Sequence, residues 1–339
     1  MVTFVFMQLQ FSFIIPVFNR PEEIKELLMS FLELEGSIPF EIVIVEDGSN
    51  IKSDEIVKAF SDKLNINYLY KENSGPGDSR NYGMKNSNGN YFIILDSDCI
   101  LPKDYLLHVK EGLEKQFVHC FGGPDAAHES FSNLQKAINF AMTSFLSTGG
   151  IRGSNKSVDK FQPRSFNMGL SKEAFEVTDG FGKVHPGEDP DLTLRLWEKG
   201  YNTVFFAKAK VYHKRRISWK KFYNQVYKFG MVRPILNLWH PNSDKLTYWF
   251  PTFFSVGFIT SLSLLLFGFY WFMILYAVYL VVYFFNAIFE TKNLFISFQS
   301  LVALFIQMFG YGWGFLKSSF FIKFLNRQPE SQFPELFFH

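Results

Sequence analysis

Cysteine is scarce in this chain: Cys99 and Cys120 are the only two among 339 residues. Two thiols cannot build the dense disulfide framework of a small secreted domain, and these two lack the close spacing of a zinc site. The segment from Met1 to Gln10 has no basic start and leads into a strand pattern, so we expect no signal peptide there. The sequence therefore excludes the disulfide-rich class and predicts two free, reduced thiols.

Charge is missing from two long segments in the C-terminal part. Residues 246–289 run for 44 positions without Asp, Glu, Lys or Arg, and residues 294–316 add 23 more. A helix needs about 20 apolar residues to cross the hydrocarbon core of a membrane. We therefore predict transmembrane helices over residues 246–316, with two spans that turn near Gly268 and a third in the second segment.

Acidic residues are almost absent from residues 201–245, which precede the first charge-free segment. Residues 201–245 contain ten Lys and Arg residues against Asp244 alone. A basic block can indicate nucleic acid, but a block directly before an apolar segment is typical of the cytoplasmic flank of a membrane protein. We therefore expect no nucleic-acid partner. Residues 216–245 are predicted to form a basic amphipathic segment on the lipid surface, at the cytoplasmic face of the inner (cell) membrane.

The number of spans stays open at this point. Lys317, Lys323 and Arg327 lie in the tail of residues 317–339 and favour a cytoplasmic C-terminus, which requires an even number of spans. The lengths of the apolar segments indicate three spans, and the charges indicate two.

The first 120 residues alternate short apolar runs with helical patterns. Such alternation predicts an α/β domain with a doubly wound, mostly parallel sheet and helices on both faces. The predicted strands are Phe11–Ile15, Glu41–Val45, Ile66–Tyr70 and Tyr91–Leu95. The predicted helices between them cover residues 21–34, 52–62 and 76–87.

The pattern is less regular from residue 121 to residue 200, which we assign to the same domain. A helix is predicted over residues 130–146, and a Gly/Ser-rich loop follows over residues 147–159. A short strand is predicted from Asn202 to Phe206. The first domain is therefore expected to cover residues 1–215.

Polar loops leave the predicted strands at one edge of the sheet, where ligands of such sheets bind. Asp96-Ser97-Asp98 directly follows the buried run that ends at Leu95. Two carboxylates beside a phosphate site suit Mg²⁺ or Mn²⁺, although a turn alone explains an isolated Asp-x-Asp nearly as well. The other loops at this edge cover residues 16–20, 46–49 and 73–81.

In combination these loops resemble the family 2 glycosyltransferases. The matching segments are Phe11–Asn19, Val45–Ser49, Gly75–Asn81 and Leu95–Asp98, in the same order and with similar spacing. The resemblance extends over about residues 10 to 230. It implies a GT-A fold, which is a Rossmann-like sheet that binds a nucleotide sugar, here followed by C-terminal transmembrane helices.

The resemblance also implies which residues bind the nucleotide. Pro16 and Phe18 would line the nucleobase pocket, and Asp47 would accept a hydrogen bond from the base. Arg80 would lie near the nucleotide, and Asp96 would organise this part of the site.

A metal site is implied as well, with Mg²⁺ or Mn²⁺ as the cofactor. Asp98 would ligate the cation that bridges the diphosphate, and His213 would be a second ligand, with His185 as a weaker alternative. Asn167, in the segment Phe166–Gly169, would contact the donor sugar or the acceptor. A lone histidine is more often structural, so the role of His213 remains open.

The segment Gly187-Glu188-Asp189-Pro190-Asp191 resembles the family's Glu-Asp motif. Inverting transfer requires a base that takes the proton of the acceptor hydroxyl. We assign this role to Asp189, with Glu188 as its neighbour or substitute. Asp191 is expected to cap the helix or to pair with Arg195. Without the other motifs, the segment would be explained by the preference for acidic residues at helix N-termini.

Three functions are compatible with these patterns. We favour the addition of a single sugar from a nucleotide-sugar donor to a lipid-linked or membrane-proximal glycan acceptor, in contact with membrane lipid. A processive synthase is less well supported, because Gln225–Phe229 has Lys228 and Phe229 where such synthases carry Arg and Trp. The remaining alternative is a catalytically silent sugar-nucleotide-binding subunit, although the carboxylates that it would lack are present.

Overall fold

The computed structural model describes residues 8–126, 131–149, 161–213 and 218–338. The chain forms two compact units. The first unit contains Met1–Ala126, Asp159–His213 and Phe338–His339, and the second unit contains Ala127–Val158 and Lys214–Phe337. Residues 127–158 therefore group with the second unit, although we predicted a first domain that runs without interruption to residue 215.

The strands of the first unit form two sheets. In chain order they are β1 (Phe11–Val17), β2 (Phe40–Asp47), β3 (Ile66–Lys71), β4 (Tyr91–Leu95), β5 (Cys99–Ile100), β6 (Cys120–Gly122), β7 (Asp125–Ala126), β8 (Asn167–Ser171), β9 (Thr203–Phe205) and β10 (Val211–His213). The large sheet has the order β3-β2-β1-β4-β8-β6-β9, and the small sheet has the order β5-β10-β7.

The helices follow in the same numbering. They are α1 (Pro21–Leu32), α2 (Asp54–Phe60), α3 (Pro76–Lys85), α4 (Tyr105–Lys115), α5 (Asn133–Thr143), α6 (Phe145–Thr148), α7 (Lys172–Thr178), α8 (Glu188–Glu198), α9 (Trp219–Trp239), α10 (Phe250–Leu265), α11 (Trp271–Thr291), α12 (Leu294–Ser319) and α13 (Pro329–Gln332). The prolines that begin α1 and α3 suit the first helical position, where no backbone N–H is needed.

The large sheet confirms the predicted doubly wound architecture. Strands β3, β2, β1 and β4 run parallel, whereas β8 runs antiparallel to both β4 and β6. Along β1, Phe13 and Ile15 belong to one hydrophobic cluster with Leu27 of α1, and Ile14 belongs to another with Leu192 of α8. Both faces of the sheet are therefore covered by helices, which explains the unbroken apolar runs of its strands.

An aromatic stack explains part of the segment Phe166–Gly169. The Phe121 ring is buried between Tyr91 and Phe206, with ring centroids 6.1 and 4.6 Å away and nearly parallel planes. Gly169 faces this ring from the neighbouring strand, since Phe121 and Gly169 are partners in the β6–β8 pairing. The glycine is required because a Cβ atom at this position would overlap the Phe121 ring.

Within the residues that the structure describes, the second unit has three helical segments that are long and apolar enough to cross a membrane. They are Leu246–Leu265, Trp271–Thr291 and Leu294–Phe324. By length and composition these segments match the three that the apolar lengths indicated, and the number that cross a membrane stays a prediction.

Helix α9 packs against α12 rather than only lying on a surface. Gly314 of α12 has no room for a Cβ atom, because the carbonyl oxygen of Tyr227 in α9 lies against it. Ile138 of α5 and Ala303 of α12 share a cluster with Phe222 and Val226 of α9. This shared packing accounts for the grouping of residues 127–158 with the second unit.

We expect Gly169→Ala to destabilise the first unit. The added methyl group must displace Phe121, which its two stacking partners hold in place, and overpacking of this kind costs about 1–3 kcal/mol. The midpoint of thermal unfolding in detergent measures the loss. The double variant Gly169→Ala with Phe121→Leu should recover part of it, and an unchanged midpoint for Gly169→Ala would contradict the packing argument.

Candidate functional site

The loops that follow β1 and β2 are tied together by Asn19. Its side-chain Oδ1 accepts hydrogen bonds from the backbone N–H groups of Asn50 and Ile51, at 2.8 and 3.0 Å. Its backbone has a φ of 54°, a left-handed conformation that asparagine tolerates better than most residues. Beside it, Pro16 is buried in β1 and Phe18 is exposed at the edge of the sheet.

Asp47 lies at the end of β2 and holds the loop that begins α3. Its Oδ1 accepts hydrogen bonds from Lys71 Nζ at 2.8 Å and from the backbone N–H of Ser74 at 3.0 Å. Its Oδ2 accepts from the backbone N–H of Gly75 at 3.0 Å. The carboxylate is therefore bound mostly to protein groups, and its contact with a nucleobase stays a prediction.

Arg80 lies in the middle of the site, between two carboxylates from distant parts of the chain. Its Nη2 is 2.7 Å from Asp96 Oδ1, and its Nη1 is 3.0 Å from Glu188 Oε1. The guanidinium also faces the Phe181 ring, with its carbon 5.2 Å from the ring centroid. Arg80 is buried, so its contacts join the loop after β4 to the start of α8 rather than facing solvent.

Glu188 is buried at the first position of α8 and is held in its ionised form. Burial alone would raise the pKa of this carboxyl, but His185 and Arg80 outweigh it and lower the pKa from 4.5 to about 2. His185 Nδ1 lies 3.1 Å from Glu188 Oε1, and the backbone N–H of Gly187 donates to Oε2 at 2.9 Å. A carboxylate with so low a pKa is a weak proton acceptor.

Asp189 follows on the same helix and has a different environment. Its Oδ2 lies 3.6 Å from Nη1 of Arg164, and both side chains are partly accessible to solvent. Asp191 accepts hydrogen bonds from Nε and Nη2 of Arg195 at 3.0 and 2.8 Å, which confirms the predicted pairing. The three acidic residues of the motif therefore have three distinct settings.

The small sheet brings the predicted metal ligands together. Strand β10 pairs antiparallel with β5, and His213 lies opposite Cys99, the residue after Asp98. His213 Nε2 is 3.1 Å from Asp98 Oδ1 and 4.0 Å from Asp96 Oδ2. Potential ligand atoms of Asp98, Cys99 and His213 all lie within 4.8 Å of one another.

Neighbouring groups orient these two ligands. The second oxygen of Asp98 is 3.1 Å from Nη1 of Arg20, which is itself 2.9 Å from Glu23. The His213 ring stacks on Phe166, with centroids 4.6 Å apart and planes at 20°. Its Nδ1 lies 3.9 Å from Oδ2 of Asp125 in β7.

A divalent cation fits Asp98 and His213, because a carboxylate oxygen is a ligand of Mg²⁺ and Mn²⁺ and an imidazole nitrogen is a common ligand of transition-metal ions. Cys99 does not extend this set. Burial, followed by the nearby carboxylates of Asp98 and Asp96, raises the pKa of the Cys99 thiol well above its ordinary value. The neutral thiol donates instead to the carbonyl oxygen of Phe166 at 3.4 Å. His185, the alternative ligand, binds Glu188 rather than Asp98.

Asn167 is fully buried and its amide is occupied by protein groups. Its Oδ1 accepts from the hydroxyl of Tyr105 at 2.7 Å, and its Nδ2 donates to the carbonyl oxygen of Ala209 at 2.8 Å. These bonds hold the turn that begins at Arg164, whose carbonyl oxygen accepts from the Asn167 backbone N–H at 2.9 Å. Asn167 thus supports the site from behind, and its contact with the donor sugar or the acceptor stays a prediction.

Three site residues were not assigned a role from the sequence. Arg20 and Arg164 are single basic residues in loops, which resemble surface charges when read alone. Asp125 directly follows Gly122-Gly123-Pro124. Glycine and proline are typical of a loop, so this composition could have indicated that a strand ends there, at the ligand-binding edge of the sheet. Their contacts depend on residues far away in the chain, which spacing does not report.

Phe338 also adjoins the site, as a member of the first unit. Its ring lies against Gly75, where a Cβ atom would overlap it, and 5.7 Å from the ring of His185. Its backbone N–H donates to the carbonyl oxygen of Lys183 at 3.1 Å. An aromatic side chain therefore packs beside the loops that hold Asp47 and Glu188.

Comparisons with known proteins identify relatives of this chain. Residues 12–177 match the model of Glycosyl transferase family 2. An uncharacterized glycosyltransferase of Rickettsia felis is 37% identical over 108 residues, which is 32% of this chain and 18% of that protein. The poly(ribitol-phosphate) beta-N-acetylglucosaminyltransferase TarS of Staphylococcus aureus is 34% identical over 101 residues, 29% of this chain and 18% of its own length. The chain therefore spans less than a fifth of either relative.

A solved structure extends the likeness beyond the matched segment. The mannosyltransferase PcManGT from Pyrobaculum calidifontis, determined with GDP-Man and Mn²⁺, superposes with a TM-score of 0.57. The match covers 92% of this chain and 88% of that one at 14% sequence identity. At this identity the likeness concerns the fold, which is GT-A.

We expect Glu188→Gln to reduce the acid sensitivity of the protein. In the natural chain, the lowered pKa of Glu188 stabilises the folded state at pH values above 4.5, which is the pKa of this carboxyl in the unfolded chain. This contribution is lost as the pH falls toward about 2. The variant lacks the contribution, so its thermal midpoint should fall less over that pH range. The exposed Glu176→Gln is the control, and equal acid sensitivity of all three proteins would contradict the assignment.

We expect Asp98→Asn and His213→Ala each to weaken the binding of Mn²⁺ added without nucleotide. Asp125→Ala should weaken it less than either change, because Asp125 Oδ2 lies 3.9 Å from His213 Nδ1 and acts on the imidazole by its charge rather than by a hydrogen bond. Electron paramagnetic resonance of free Mn²⁺ measures the affinity. The exposed Asp62→Asn serves as the control, and unchanged affinity in the Asp98 and His213 variants would place the metal elsewhere.

Proposed function

This chain is a family 2 glycosyltransferase, and on that premise we propose that it transfers one sugar, with inversion, from a nucleoside diphosphate sugar to a membrane-associated acceptor. The observation that carries the proposal is the arrangement around Arg80. One buried guanidinium connects the Asp96–Asp98 loop, where a cation fits, to the helix that presents Asp189. A leaving-group site and a candidate base are thereby held in one rigid assembly.

The donor half of the proposal assigns the diphosphate to the edge where Asp98 and His213 meet. A divalent cation bound there, Mg²⁺ or Mn²⁺, would neutralise charge that develops on the diphosphate leaving group. Support comes from the fold relative PcManGT, which was solved with GDP-Man and Mn²⁺. Pro16, Phe18 and Asp47 are assigned to the nucleobase, beside the loop that Asn19 anchors.

The acceptor half assigns the general base to Asp189. Inversion requires the acceptor hydroxyl to attack from the face opposite the leaving group while a base removes its proton. Asp189 is more accessible than Glu188, and its Oδ2 lies 3.6 Å from Nη1 of Arg164, which holds the carboxylate near the start of α8. Glu188, with its pKa lowered to about 2, is assigned to positioning Arg80.

The acceptor is assigned to the membrane. Three helices long and apolar enough to cross a bilayer follow the basic segment, and a lipid-linked glycan would be delivered close to such helices. We place the catalytic unit on the cytoplasmic side of the inner membrane, because the basic stretch of residues 201–245 before the first apolar helix favours that side. The relative TarS is named for a cell-envelope polymer, which is consistent with a role in envelope biosynthesis.

Kinetics in purified membranes test the proposal. Donors are first screened by Mn²⁺-dependent thermal stabilisation, since a bound ligand raises apparent stability. With the donor that stabilises, Asp189→Asn should lower kcat by at least about 100-fold, the usual contribution of general base catalysis, while donor binding persists. Asp98→Ala should lose the Mn²⁺-dependent donor binding.

The exposed Asp179→Asn is the matched control for a charge removed from the same unit. Transfer of radiolabelled sugar is the readout in each case. Full activity in both the Asp189 and Asp98 variants would overturn the proposal. Donor binding without turnover against every tested acceptor would favour a silent binding subunit.

A further inference from the structure

The segment that contains α5 and α6 has an unusual composition for a connection between strands. Residues 137–151 include no Asp, Glu, Lys or Arg. The charge-free stretch is shorter than the roughly 20 residues that cross a hydrocarbon core, and its length is typical of a buried core helix or a re-entrant membrane segment. The contacts of this segment decide between these alternatives.

The two ends of the segment differ in polarity. At its start, Ser132 and Gln135 form a capping box, and both Ser132 and Asn133 are exposed. Further along, Ile138 and Ala141 are fully buried beside Ala303 of α12. The segment thus begins in a polar setting and becomes apolar toward α6.

The apolar end lies at the middle of two membrane-length helices. The hydroxyl of Tyr279 in α11 donates to the carbonyl oxygen of Leu146 at 2.8 Å, and Gln307 Nε2 in α12 donates to that of Ser147 at 3.3 Å. At a rise of 1.5 Å per residue, Tyr279 is about 12 Å from the nearer end of α11, and Gln307 is about 18 Å from the nearer end of α12. The end of α6 therefore lies as deep as the centres of these helices.

Several polar groups at this end have the hydrogen-bond partners that a lipid environment demands. Besides the two carbonyls, Ser144 Oγ donates to Asn286 Oδ1 of α11 at 3.3 Å. Thr148 Oγ1 donates to the carbonyl oxygen of Ser144 at 2.8 Å. Non-helical backbone at membrane depth is tolerated where neighbouring helices supply such partners, and α11 and α12 supply them here.

One large apolar side chain at this end points away from the protein. Phe145 begins α6 and is 73% exposed, although Phe140, one turn earlier, is buried against Tyr283 of α11 at a centroid distance of 5.4 Å. An exposed phenylalanine at the depth of Tyr279 has a favourable partner if lipid acyl chains surround it.

We propose that residues 131–149 form a re-entrant element that dips into the bilayer beside α11 and α12, with Phe145 in contact with lipid acyl chains. The chain belongs to the first unit at Ala126 and again at Phe161, and α5 with α6 is too short to cross, so the element enters and leaves on one side. The inference rests on α11 and α12 crossing a membrane, and it is independent of the catalytic chemistry.

Depth-dependent fluorescence quenching tests the proposal on the full chain. A thiol-reactive dye is attached at Phe145→Cys or Asn133→Cys, and the buried Cys99 and Cys120 are expected not to react. The labelled protein is reconstituted into phosphatidylcholine vesicles with bromine either near the headgroup or deep in the acyl chains. Exposed Val278 of α11 and exposed Phe117 of the first unit, each replaced by Cys, mark the deep and the aqueous limits.

The dye at residue 145 should lose fluorescence mainly to deep bromine, as at residue 278, and the dye at residue 133 mainly to shallow bromine. Because Phe145 is exposed, its replacement removes no buried contact and should leave the fold intact. Shallow quenching at both positions would mean a helix lying flat on the surface and would overturn the proposal. Fluorescence at residue 145 that is quenched as little as at residue 117, the aqueous limit, would overturn the proposal as well.

A pair of tyrosine variants supplies an independent check. Tyr279→Phe removes the hydroxyl that binds the Leu146 carbonyl, so the dye at residue 145 should shift toward quenching by shallow bromine. Tyr276→Phe is the matched control, because its hydroxyl donates to Phe254 of α10 at 3.0 Å instead. Equal effects of the two variants would contradict the embedded position of α6.

Discussion

The buried contact of Arg80 with Asp96 and Glu188 is the interaction on which the rest of the site depends. Glu188 and the guanidinium would each be costly to bury alone, and each compensates the charge of the other, while Asp96 is partly exposed. Removing Arg80 would leave the buried Glu188 carboxylate without its guanidinium partner. The positions of the Asp96–Asp98 loop and of α8 are consequently linked, although Arg80 and Glu188 are separated by more than a hundred residues.

Around this centre, residues of two kinds can be distinguished. Asp47 and Asn167 use their polar atoms mainly to fix loops, so they act as a frame for the site. Asp98, His213 and Asp189 lie at the edge of that frame with neighbours that orient them. A site built in this way is preorganised, because its outermost groups are positioned by contacts made before a substrate arrives.

The sequence predicted the strands and the loops at their carboxyl ends, because alternating apolar runs and ordered motifs are local signals. The meeting of Asp98 with His213 was implied only by the family resemblance, which left the role of His213 open. It did not predict that Arg80 would bind Glu188 or that α5 would pack with α12. Both depend on tertiary contacts between distant segments, which periodicity and spacing do not encode. Asp47 shows the same limit in another form: its position was foreseen, but the direction of its hydrogen bonds was not.

The small sheet that carries His213 has a consequence for energetics. Strand β10 has three residues, and its partners β5 and β7 have two each, so little backbone pairing holds this sheet together. Elements with so few hydrogen bonds open at a fraction of the free energy of global unfolding. Metal affinity at His213 would then contain the free energy of ordering this sheet, and cation binding and local folding would be two descriptions of one equilibrium.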